Sequence, residues 1–196
     1  MKLRYCAFIF LMMSVTNLFA QTLTAQIEGL DLVANKSQKI DLKFDLNSQS
    51  LKYTVILFLS SRCPCSNSHI NEIKELYSLY GSPSNIAMAN FVAIHSNQNE
   101  TQQEAEKYFQ KNNIKFPVIS DVDAKIADIF KAFKTPHVFV LNNHAEIIYR
   151  GGVSSSQHFS ENVKKYLRDV LFDLSKGEKP RWTETRSLGC VILRSP

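Results

Sequence analysis

Little in this chain repeats or breaks it up. Six glycines and six prolines in 196 residues are too few for a collagen-like or low-complexity chain. No segment recurs at a fixed period, which excludes a solenoid or propeller. No apolar run reaches the roughly 20 residues that a membrane-spanning helix needs. The basic residues are scattered and form no stripe with interleaved aromatics, so nothing points to nucleic acid despite a formal net charge of +5. Cysteine is scarce at four residues, and only Cys63 and Cys65 lie together. What remains is 44% hydrophobic and 21% charged, enough apolar material for the core of one domain of ordinary size.

The first twenty residues read as an export signal. Lys2 and Arg4 precede a short apolar stretch over residues 5–15, and Ala20 offers a small residue before a cut at Gln21. The alternative is an uncleaved segment that touches a membrane. Cys6 leaves with the signal. Cleavage also takes Lys2 and Arg4, so the +5 falls to +3. Cys63, Cys65 and Cys190 remain. Export permits disulfides, but an odd number of thiols leaves at least one free or paired part of the time.

After a poorly patterned start, "LTAQIEGL" and "KIDLKFDL" show partial alternation and are expected as short strands. "LKYTVILFL" is a continuous apolar, β-branched run, as in a strand buried on both faces. Pro64 opens a helix with Ile70, Ile73, Leu76, Tyr77 and Tyr80 at helical spacing, and Gly81 stops it. "ANFVAIHS" and "FPVISD" follow as strands, with helices expected over "TQQEAEKYFQKNN" and "AKIADIFKAF". "TPHVFVLNNHAEIIYRGG" reads as a hairpin turning at Asn142 and Asn143. "SQHFSENVKKYLRDVLFDLSKG" predicts one long amphipathic helix with Phe159, Val163, Tyr166, Leu167, Val170 and Leu174 on its apolar face, ended by Gly177. Residues 178–196 are a tail with little periodicity, and residues 21–177 make the domain. This order predicts an α/β fold, a central mixed sheet with helices on both faces and the site at the carboxyl ends of the strands.

The two close thiols sit at such an end. Pro64 favours the first helical position, which makes Cys63 the N-cap. The free N–H groups of Cys65 and Ser66 and the helix dipole then favour a thiolate on Cys63, and Arg62 adds positive charge. Residues two apart in a helix point about 200° apart, so a Cys63–Cys65 disulfide requires the first turn to unwind. Cys65 is therefore a small core residue, a metal ligand or a resolving thiol.

"VILFLSSRCPCSNSHINEIKELYSLYG", "FVAIHSNQNETQQEAEKYFQKNNIKFPVISD", "TPHVFVLNNHAEIIYRGG" and the tail "TRSLGCVI" together resemble the thioredoxin-fold redoxins. This group holds thioredoxin-like oxidoreductases and alkyl hydroperoxide reductase/thiol-specific antioxidant proteins. The resemblance runs from about Leu51 to the end. It implies a thioredoxin-like fold, Cys63 as the attacking cysteine, and Thr135-Pro136 as a cis-proline pair that lines a substrate groove. The chain departs from the group's patterns. Arg62 stands where thioredoxins carry Trp, and the cysteine spacing is one residue shorter. Ser60 matches the peroxiredoxin hydroxyl position, but Ile56 replaces its proline, and Lys134 and Thr135 lie where its arginine is expected, with Arg150 the nearest substitute.

Cys190, in an otherwise unpatterned tail, is expected to reach Cys63 and form or resolve a disulfide; its alternative is packing against the last helix. His69, four residues after Cys65, can share a helix face with it, and His137 is the histidine placed to join Cys63 and Cys65 in a soft copper site, whereas His95, His144 and His158 are expected at strand-end, turn and helix positions without a role. Trp182 reads as a packing anchor. The expectation is an exported, periplasmic thiol-disulfide oxidoreductase with catalytic Cys63, Cys65 and Cys190, thiolate support from Ser60 and Arg62, and no cofactor. Its partners are a protein disulfide (or a peroxide, if it is a peroxidase) and a thiol reductant system. A copper-binding chaperone is the remaining alternative.

Overall fold

The computed structural model describes residues 26–43, 51–83 and 87–194. The expected signal and Cys6 lie outside the described residues. Strands β1 (Gln26–Asp31) and β2 (Lys36–Asp41) form an antiparallel pair at one edge. Then follow β3 (Tyr53–Phe58), helix α1 (Pro64–Tyr80), β4 (Ala89–His95), α2 (Gln102–Lys111), β5 (Val118–Ser120) and α3 (Lys125–Phe130). The short β6 (Lys134–Thr135) precedes the hairpin β7 (His137–Asn142) and β8 (Ile147–Gly151), then α4 (Tyr166–Ser175) and β9 (Cys190–Val191). Seven strands make one mixed sheet in the order β2-β1-β5-β4-β3-β7-β8. β3, β4 and β5 run parallel, and β7 returns antiparallel beside β3.

Alternation along the central strands divides the core in two. Val55 and Leu57 of β3 join Ile70, Ile73 and Leu76 of α1, Phe109 of α2 and Leu167 and Val170 of α4 on one face. Ile56 and Phe58 face the other way, into a cluster with Ala127 and Phe130 of α3 and Ile27 and Ile40 of the edge pair. Every residue from Val55 to Leu59 is fully buried. That explains the unbroken apolar run: a strand covered on both faces has no solvent side to carry polar residues.

The predicted long helix over residues 156–177 is shortened at its start. Only Tyr166–Ser175 is α-helical. Serines upstream satisfy the backbone locally instead of a helical ladder. Ser155 Oγ accepts from the Lys164 N–H at 3.1 Å and Ser156 Oγ from the His158 N–H at 3.2 Å. Phe159 thus leaves the expected face and sets its ring 5.6 Å from that of His69 on α1, and His158 sits in the loop rather than in a helix.

The tail runs back along the domain. Thr185 exchanges backbone bonds with the β8 edge, donating to the Arg150 carbonyl at 3.0 Å, while the Arg150 N–H donates to Thr183. Its Oγ1 lies 2.8 Å from the buried Tyr149 hydroxyl. Gly151 permits this approach: it holds φ +154, and a Cβ there would sit 2.1 Å from Thr185 Oγ1. Trp182 donates from Nε1 to Asp169 at 3.0 Å and lies edge-on to Tyr166. β9 then pairs antiparallel with β6, aligning Cys190 with Thr135 and Val191 with Lys134.

Candidate functional site

The loop between β3 and α1 is held by a buried carboxylate. Glu100 Oε2 accepts the Ser61 N–H at 2.7 Å and the Arg62 N–H at 3.3 Å, and lies 3.0 Å from His95 Nε2. Glu100 Oε1 accepts the Ser60 hydroxyl. Burial pushes this carboxyl up, but the bonds from His95, Ser60 and Ser61 outweigh it and hold it down at about 2. Glu100 was not among the sequence candidates. Its only local signal was its place at the foot of α2, and its role depends on contacts across 40 residues. His95 thus acquires a partner that its strand-end position alone did not announce.

This loop delivers Cys63 to the N-cap of α1, with Pro64 opening the helix. The thiol is 2% exposed, and Sγ accepts the Ser66 N–H at 3.4 Å. From the other side, Sγ lies 3.0 Å from the Thr135 carbonyl oxygen and 2.7 Å from Cys190 Sγ. The Thr135–Pro136 peptide is cis. Burial opposes ionisation of Cys63, but the bonds from Cys190 and the Ser66 amide help bring its pKa below that of an ordinary thiol. Burial and the neighbouring Cys63 sulfur push Cys190 up to about 12 and raise Cys65 as well. Of the pair, Cys63 is therefore the thiol that ionises first.

Cys65 is closer to this pair than helical spacing suggested. The three sulfurs all lie within 4.8 Å of one another. The 200° separation holds only when both residues are helical, and Cys63 is extended, at φ −81 and ψ 114. Among the described residues these thiols are the one group of soft donors that converges. Among the described residues the copper set with His137 is not assembled. His69 spends both ring nitrogens on the Cys65 carbonyl at 2.8 Å and Ser154 Oγ at 2.7 Å. His137 packs its ring 4.5 Å from Phe139 on the far face of the sheet, where burial and then Arg150 lower its pKa to about 4.

The two residues expected to support the thiolate take other partners. The Arg62 guanidinium forms a bidentate pair with Glu104 at 2.6 and 2.8 Å, because the capping box of α2 presents that carboxylate at the same rim. Ser60 serves the Glu100 anchor. Arg150 pairs with Glu184 of the tail at 2.9 Å. Tyr108 is a further neighbour the sequence did not single out: burial, then the Cys63 and Glu100 charges, raise its phenol to about 12, and it donates to Asn67 at 3.3 Å.

The site thus consists of a low-pKa thiol at a helix N-terminus, a cis-proline opposite it, and a protonated thiol on an incoming strand. A thioredoxin-like family model matches residues 50–147, which span β3 to the start of β8. No curated protein matches the chain. Among solved structures, an uncharacterized conserved protein from Geobacillus kaustophilus superposes with a TM-score of 0.75 at 22% identity, over 89% of this chain and 91% of that one. A hypothetical protein from Sinorhizobium meliloti 1021 gives 0.70 at 20% identity, over 89% and 93%. A thiol-disulfide oxidoreductase from Bacteroides fragilis gives 0.51 at 15% identity, over 65% and 88%. At these identities the likeness is one of fold. Together with the matched residues, it establishes that this chain belongs to the thioredoxin-like family, with the fold on which thiol-disulfide oxidoreductases are built.

Proposed function

We propose that this protein is an exported thiol-disulfide oxidoreductase, with Cys63 as its nucleophile and Cys190 as its resolving thiol. Residues 21–177 form the redox domain, and residues 178–196 form an arm that returns Cys190 to it. The observation that carries this reading is the 2.7 Å contact between Cys63 Sγ and Cys190 Sγ at the helix N-terminus; disulfide closure to about 2.05 Å needs only a small further approach. The Cys63 thiolate attacks one sulfur of a substrate disulfide, and the other sulfur leaves as a thiolate. Cys190 then attacks Cys63 Sγ, releases the substrate thiol and leaves the Cys63–Cys190 disulfide for an external thiol reductant. Thr135-Pro136 forms the wall of the groove. Cys65, with its pKa raised, is a reserve thiol rather than the first resolver. The pattern of residues 1–20 supports export, to the periplasm of a bacterium. The peroxidase reading is the weaker one, because Arg62 and Arg150 are both committed to carboxylates and neither is supplied to Cys63.

A mass map of the thiols in the mature protein tests this. After one equivalent of hydrogen peroxide or oxidised glutathione, a Cys63–Cys190 link that a dithiol reverses is expected. Three thiols that stay free and alkylate slowly at pH 7 would sink the assignment. Sulfenic acid accumulating on Cys63 of the Cys190→Ser variant at low peroxide, without exchange on disulfides, would move the protein to the peroxidases.

A further inference from the structure

The tail pairs with the backbone beside the cis-proline, and its fit there specifies a sequence. Thr135 aligns with Cys190 and Lys134 with Val191, and the Ile192 N–H continues the ladder to the Phe133 carbonyl at 2.9 Å. Three side-chain positions are constrained differently. At Gly189 an added Cβ would lie 2.0 Å from the Thr135 carbonyl oxygen and 2.8 Å from its carbon, so only a residue without a side chain passes the cis-proline. Cys190 meets the reactive sulfur. Val191 points outward and is 60% exposed, whereas Ile192 is 2% exposed and joins the core cluster of Phe58, Phe130 and Phe139. We infer that this strand is a built-in template of the substrate: the site takes an extended polypeptide segment of the pattern Gly-Cys-any-aliphatic, paired antiparallel to β6, with its cysteine in the disulfide to be reduced.

The inference rests on the redox reading proposed above and adds the class of substrate. Substrate and tail occupy the same groove and therefore exchange. With the tail displaced, Cys63 attacks the substrate cysteine and the substrate's second sulfur leaves as a thiolate. With the tail back in place, Cys190 attacks Cys63 Sγ and passes its proton to the departing substrate sulfur. The substrate disulfide gains two electrons, and the Cys63–Cys190 pair loses two. Return of the strand and expulsion of the product are then one event.

The test uses the full mature protein carrying Cys65→Ser and Cys190→Ser, with Cys63 loaded as a nitrothiobenzoate disulfide. Release of the coloured thiolate is followed as three peptides attack. One peptide has the sequence of residues 187–193, one has valine in place of its glycine, and one has aspartate in place of its isoleucine. Template recognition predicts that the first reacts at least about tenfold faster than either variant, the scale of one buried aliphatic side chain. Gly189→Ala in the otherwise native protein is a second readout. Its Cβ disfavours the tail's seat, so Cys63, 2% exposed in the native protein, is expected to alkylate several-fold faster when both proteins are compared at a pH above 9.0, the ordinary thiol value, where loss of the Cys190 bond no longer limits the thiolate. Equal rates for all three peptides, with no effect of Gly189→Ala, would overturn the template and leave the redox reading standing. If Cys63 of the native protein alkylates no faster than Cys65 and links to neither thiol, the redox reading fails and the template falls with it.

Discussion

The surroundings of Cys63 come from three neighbours that no short stretch of chain contains. The Ser66 amide is local, but Thr135 and Cys190 arrive from 72 and 127 residues away. The hydrogen bond from Cys190 favours the thiolate, so its removal should raise the Cys63 pKa. The midpoint of Cys63 alkylation against pH is expected below the ordinary thiol value of 9.0 and should move upward in Cys190→Ser. An unchanged midpoint would show that the helix terminus alone sets it. The lowered pKa also stabilises the fold above the pKa of the unfolded thiol, and this contribution is lost as the pH falls through the folded value. Glu100 behaves likewise at acid pH. Its carboxyl sits at about 2 rather than 4.5, so its contribution is complete above about 4.5 and disappears as the pH falls to about 2. Glu100→Gln removes a charge that answers Ser60, Ser61 and His95. We expect a loss of about 2–3 kcal/mol in urea unfolding at pH 7 and slower Cys63 alkylation as the loop loosens.

Helix α1 carries the site, and α4 fixes α1. Arg168 of α4 donates from Nε and Nη2 to Glu72 at 2.8 and 2.7 Å, and lies 2.9 Å from Glu75. The Glu72 side chain is 2% exposed. Arg168→Ala should therefore cost about 3 kcal/mol, because it strands a buried carboxylate, whereas replacing Glu72 and Arg168 together should cost less. Thermal unfolding of both single variants and the double variant checks this; a double-variant loss equal to the sum of the two single losses would mean that the pair is not coupled. The elements themselves differ in how far the sequence disclosed them. α1 was legible because its burial pattern imposes a period, and β3 and β4 because burial on both faces leaves an almost unbroken apolar run. The first half of the expected long helix was not, since serine hydroxyls offered its backbone another set of partners. β6 and β9 have two residues each, too few for any period to show.

At the scale of the whole molecule, the tail acts as a strap over β6 and Cys63. Ile192 is buried in the core, and Arg194 bonds Asp128 at 2.8 Å beyond it. A Cys63–Cys190 disulfide would close a loop across 127 residues, which in the chain-entropy view is worth roughly 4–5 kcal/mol before strain. The oxidised protein is therefore expected to melt on the order of 10 °C above the reduced one in scanning calorimetry. Melting at the same temperature in both states would mean that the two thiols do not bond in the folded protein.

By itself the sequence determined the buried runs of β3 and β4, where α1 begins and which thiol stands at its mouth. Periodicity, a proline at the first helical position and a run without polar residues are properties of neighbours along the chain, and local sterics and solvation enforce them. The convergence of three sulfurs, the anchoring of the loop by Glu100, the diversion of Arg62 to Glu104 and the seating of the tail on β6 were decided only by the tertiary structure. Each depends on which distant side chain arrives first at a given carboxylate, carbonyl or thiol. That competition is resolved by packing in three dimensions, and separation along the chain carries no trace of it.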